Sequence, residues 1–186
     1  MKITLFVCMV LISVRGFSEE VVVPESAASL EQLKTAADEY ARSGDTAMQA
    51  GTYEQIAARD PASRVALAPL LVRLYAGLGK PDKALSWAQE VMLRNPDPQA
   101  YLAGVHTILG QFEEARAILV SEIAGCKDPK RKTALCWQMA DVCEKSGDLA
   151  GEEKFLNEAV KTSAGLPESA ATEQRLKAFL NRRQHE

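Results

Sequence analysis

The side chains of this chain that could act as nucleophile, base or metal ligand are few. Past the first twenty residues the thiols are Cys126, Cys136 and Cys143, and the histidines are His106 and His185. Cys136 and Cys143 are seven apart on one predicted helix, which separates them by two turns, ~10 Å. A disulfide needs Cα atoms within about 7 Å, so these two do not bridge in a straight helix. Cys126 stands in the preceding loop and could fold back on Cys136; the other reading is three small, buried hydrophobes. No cluster has zinc spacing, and no metal site is expected. His106 falls in a slot that packing would fill, and His185 lies in the terminal tail. The adjacent acids Glu113-Glu114 and Glu152-Glu153 point ~100° apart on a helix and read as solvated surface, not as an acid/base couple. Nucleophile elbow, zincin, phosphate-loop and dinucleotide patterns are all missing from the sequence. The sequence therefore offers no catalytic residue, cofactor or small-molecule substrate. An enzyme or a carbohydrate binder finds no supporting constellation.

The elements that would carry these residues read as helices. Hydrophobic residues make up 47% and charged residues 25% of 186, the balance of a globular domain, and aromatics are only 6%. Abundant alanine suits close-packed helices. Four glycines, Gly44, Gly79, Gly110 and Gly147, are spaced 35, 31 and 37 residues apart, near the ~34-residue beat of a helix–turn–helix repeat. Around them the periodicity predicts helix from Ser29, as N-cap, to Ser43, then 47–59; 66–78 and 82–94; 99–109 and 112–124; 129–146 and 149–163; and a last amphipathic helix over 168–183. That last helix has Ala171, Leu176, Phe179 and Leu180 as its apolar residues. Pro69 is expected in the first turn of its helix, where a missing amide costs nothing, so that helix is placed late. Aligned on the glycines, Ala37, Val72, Ala103 and Ala140 stand seven before, where two helices must approach closely.

The N-terminus reads as a targeting signal. Lys2 precedes an apolar run from Ile3 to Val14, and Gly16-Phe17-Ser18 offers a cut after Ser18. The run is too short for a comfortable ~20-residue span. An uncleaved anchor or a buried helix is the alternative, and only then would the membrane be a partner. Residues 1–18 are thus expected to be a secretory signal, 19–28 a tether, 29–164 the repeats, and 165–186 a capping helix and tail. The expected location is exported, periplasmic or secreted. Without residues 1–18 the chain carries 20 bases against 25 acids, a net −5, which argues against nucleic acid and anionic lipid.

The units themselves carry a resemblance. Tyr75-x-x-Leu78-Gly79-Lys80-x-Asp82-x-Ala84-Leu85, closing with Asn95-Pro96, is the best copy. Leu109-Gly110-Gln111-Phe112-Glu113-Glu114-Ala115 is the next. The first unit keeps Tyr40, Gly44-Asp45, Tyr53 and Asp60-Pro61; the fourth keeps Gly147-Asp148, Leu156 and Ala159. Over about residues 30–164 this resembles the tetratricopeptide repeat family. It departs where Gln49 and Glu152 replace the alanine five after the glycine, and where His106 and Cys143 replace tyrosine. The resemblance implies an all-α solenoid of about four hairpins plus a capping helix. It also implies a concave groove that holds an extended peptide or a partner's helix. Positions facing that groove would be Lys34, Asp38, Arg42, Leu70, Arg73, Tyr101, Ile108, Trp137, Asp141 and Lys145. Tyr101 and Trp137 would be anchors, unless Trp137 packs under the Cys126 loop or on the last helix. Trp87 is expected to pack between units. The function implied is a non-catalytic adaptor or scaffold for a protein or peptide; the alternative is a self-associating spacer whose end faces mate.

Overall fold

A computed structural model describes residues 28–185. The expected signal segment, and the tether up to residue 27, lie outside the described residues. Among the described residues the chain is all-helical: α1 (Leu30–Ser43), α2 (Thr46–Arg59), α3 (Pro61–Gly77), α4 (Pro81–Met92), α5 (Pro98–Ile108), α6 (Phe112–Gly125), α7 (Pro129–Ser146), α8 (Leu149–Thr162) and α9 (Ser169–Arg183).

Local chemistry sets these boundaries. Ser29 and Gln32 form a capping box at the start of α1. The carboxylates of Asp45, Asp60, Asp97, Asp128 and Asp148 accept from first-turn amides of α2, α3, α5, α7 and α8. Pro61, Pro81, Pro98 and Pro129 start their helices, where no amide is needed. The four turn glycines all have φ between 65° and 78°, a left-handed conformation that costs any side chain about 1–2 kcal/mol.

Pro69 corrects the expectation of a late start. Asp60 closes α2 and caps α3 at once, so α3 begins at Pro61 and Pro69 lies inside it. The carbonyl of Val65 thereby loses the donor the helix would otherwise supply.

Each helix packs on the next in the chain, and α3 also meets α5, as α5 meets α7. The four residues seven before the glycines are all buried. Ala84 and Ala115, five after their glycines, are fully covered, and Glu152 occupies the same slot in the last hairpin at 3% exposure. Phe179 anchors α9 between Ala140 and Leu156. On that helix Thr172 is buried, whereas Ala171 and Leu180 face solvent, which corrects their expected place in the apolar stripe. Trp87 packs against residues of α3 and α5, its Nε1 donates to Glu54 of α2 at 3.1 Å, and the Arg64 guanidinium stacks on its ring at 5.0 Å.

Candidate functional site

One hollow of about 360 Å3 opens between α3 and α5, with Gln138 of α7 at its edge. Pro69, Val72 and Arg73 of α3 form one wall, and Ala100, Tyr101, Gly104, Val105 and Ile108 of α5 the other. Two small residues make room. Ala100 and Gly104 leave the α5 surface low, and a Cβ on Gly104 would sit 3.2 Å from the Gln138 Nε2. That amide nitrogen donates to the Ala100 carbonyl at 2.6 Å, fixing the side chain over the gap and leaving its oxygen unused. Ile108 is half in solvent, at 51% exposure, and forms the lip. Burial pushes the Tyr101 phenol above its usual range, and the nearby Arg73 charge pulls it part of the way back. The surface is thus apolar, with a phenol, an amide and one guanidinium.

Of the positions expected to face a groove, Arg73, Tyr101 and Ile108 come together in this hollow. Leu70 is half-buried on α3 and does not line it. Lys34, Asp38 and Arg42 are exposed on α1, and Lys34 pairs with Glu31 at 3.1 Å. On α7, Asp141 is engaged by Arg175 of α9, while Lys145 is exposed. Trp137 is half-buried, its Nε1 covered and without an acceptor among the described residues, and it does not line the hollow. Val72 and Val105 line the hollow without having been expected to. Val72 read as a core position, which it also is; the gap over Gly104 is what lets the hollow reach it.

The reactive groups are placed for packing. Cys126, Cys136 and Cys143 are free thiols, so the Cys126–Cys136 bridge is not formed. Burial pushes the Cys136 thiol up to about 11 and raises Cys143 as well, which suppresses the nucleophilic thiolate. The His106 Nδ1 lies 2.7 Å from the Gln111 Oε1, across its own turn. Among the described residues no group of three or more His, Cys, Asp or Glu could hold a metal. None of the described helices is long and apolar enough to cross a membrane.

The basic stretch at the start of α7 is largely consumed internally. Arg131 binds Asp97 in two contacts of 2.9 and 3.0 Å and also reaches Glu122. Lys132 pairs with Glu158 at 3.4 Å, and Lys130 with Glu168 at 3.6 Å. These pairs clamp α5, α6, α8 and the start of α9 onto α7. Compared with protein-family models the chain finds no match, and compared with curated proteins it finds none either.

Proposed function

We propose that this chain is a non-catalytic binding module, a tetratricopeptide-like solenoid that takes a peptide or helix of a partner protein along its inner wall. It would work as an adaptor or scaffold in an exported or envelope setting. The observation that carries the reading is the hollow itself. Three positions that the resemblance puts on an inner wall, Arg73, Tyr101 and Ile108, line one apolar cavity. Concave apolar sites with a few polar groups are where ligands bind. The contacts of α3 with α5 and of α5 with α7 are those that stacked first helices would make. Exposed positions of α1 and α9 outside the groove set, among them Glu31, Glu39, Lys177 and Asn181, are polar, which favours groove binding over a spacer that mates through its ends.

Selection of a displayed random peptide library on the purified chain tests the reading. Enriched peptides should lose at least about tenfold in affinity to an Ile108→Glu variant, since a charge at the lip opposes apolar burial. Circular dichroism should be unchanged in that variant, because Ile108 is half in solvent. No enrichment, or enriched peptides indifferent to the substitution, would reject it.

A further inference from the structure

We infer that α9 is exchangeable between copies of this chain: the face of α7 and α8 that it covers takes the α9 of a second copy, and two chains trade the helix reciprocally to form a closed dimer. The inference is independent of the hollow and goes beyond binding there.

The interface has its charges sorted by sign. Arg175, Arg182 and Arg183 lie on α9, and the carboxylates they meet, Asp141, Glu144, Glu152 and Glu153, lie on α7 and α8. Arg182 spans Glu144 at 2.8 Å and Glu152 at 2.6 Å. Between these pairs the Phe179 ring enters between Ala140 and Leu156, with Leu176 packed against the same cluster. An acidic face with an apolar slot thus recognises a basic amphipathic helix in the register of Arg175, Phe179, Arg182 and Arg183. A second copy carries that helix residue for residue, which makes it the partner that fits.

The docking is light. α9 buries two side chains, Thr172 and Phe179, where α7 buries seven. Its arginines are 33–46% exposed, so their pairs are weak and screened by salt. Docking also leaves one oxygen of Glu152 buried without a partner among the described residues, a cost that water removes when α9 lifts. The last helix therefore opens more readily than the repeats beneath it.

The connection has the form of a hinge. Residues 163–168 join Thr162 of α8 to Ser169 of α9. They fold into two tight turns: the Leu166 amide donates to the Ser163 carbonyl at 2.8 Å, and the Ser169 amide to the Leu166 carbonyl at 3.1 Å. The first turn depends on Gly165, whose φ is 81°. Drawn out, such a segment spans about 20 Å, enough to carry α9 onto a neighbour. The same contacts re-form there, so exchange forfeits none of them, and concentration sets the balance.

Two sets of variants test this on the purified chain, by light scattering against concentration. A Cβ at Gly165 would meet no atom within 4 Å, so Gly165→Val strains only the backbone of the closed turn. It should move the midpoint of a monomer–dimer equilibrium at least about tenfold lower in concentration. The second set reverses sign: one variant carries Arg175→Glu with Arg183→Glu, the other Asp141→Arg with Glu153→Arg. Alone, each sets like charges against each other where its own α9 docks. Mixed, each helix matches the other chain's face, and a 1:1 dimer should form. A Gly165→Val chain that stays monomeric would overturn the inference. So would folded reversal variants that yield no 1:1 dimer, since any Gly165→Val dimer would then form through another surface. If circular dichroism shows either reversal variant unfolded, Gly165→Val decides alone.

Discussion

Two glutamates, one toward each end of the described chain, each bridge packed helices and are tuned in opposite directions. Glu54 on α2 takes the Trp87 Nε1 at 3.1 Å and the Lys83 ammonium at 3.0 Å, and the Tyr75 hydroxyl joins the same group. Burial raises its pKa, but these three donors together outweigh burial and hold it below the usual carboxylate range. Glu152 on α8 is far more buried and has one donor among the described residues, Arg182 of α9 at 2.6 Å, on one oxygen only; its other oxygen is buried without a partner there. There burial dominates, Arg182 pulls only part of the way back, and the pKa stays raised. The lesson is about the number of donors per charge. A carboxylate with three donors stabilises a contact, whereas one with a single donor depends on that donor for its tolerance.

The sharpest way to break the comparison is Arg182→Ala. It strands the Glu152 charge and also drops the 2.8 Å pair with Glu144. Loss of one partner of a buried pair costs roughly 3–5 kcal/mol, and because Arg182 is 45% exposed we expect about 2 kcal/mol here. The loss should appear by chemical denaturation, with hydrogen exchange fastest in α9. Adding Glu152→Gln should recover most of it, since no orphaned charge then remains. An unrecovered double variant would show that Arg182 acts through its stacking over Phe179, at 5.7 Å, rather than through charge.

Much of this architecture could be read before any coordinates, because backbone geometry dictates residue type. The turn glycines are needed for positive φ, and the small residues seven before them for close approach. The repeat resemblance put Arg73, Tyr101 and Ile108 on one face, and they line one hollow. Contacts across long sequence separation were not readable. Nothing near Glu152 announces that Arg182, thirty positions on, covers it, or that Arg175 would engage Asp141. Pro69 misled for a related reason. A proline rule is local, and here the helix is capped nine residues upstream, at Asp60.

A smaller effect is expected at the other end. Glu54→Gln keeps an acceptor but removes the charge that Lys83 and Trp87 address. With both Glu54 and Lys83 partly solvated, the loss should be about 1 kcal/mol at neutral pH. The indole N–H resonance of Trp87 should move, and that of Trp137 should not. A loss as large as that of Arg182→Ala would mean that donor number does not decide how a carboxylate contributes.

The pH dependence separates the two glutamates even where their magnitudes are small. Glu54 has a folded pKa below its ordinary 4.5, so its stabilisation is present above that value and is lost as pH falls through the lowered one. Glu152 has a folded pKa above 4.5, so its protonated form favours the fold; that gain is complete below 4.5 and disappears as pH rises through the raised value. Replacement by glutamine removes each titration. At pH 7 Glu54→Gln should therefore lower the melting temperature, and Glu152→Gln, with Arg182 retained by Glu144, should leave it equal or raise it. As pH falls through 4.5 and on toward the lowered Glu54 value both differences should shrink, the first because wild-type Glu54 begins to protonate, the second because wild-type Glu152 is by then neutral. Melting curves of the two single variants against pH measure this directly. Shifts of the same sign at pH 7 would refute the claim that burial governs one carboxylate and hydrogen bonding the other.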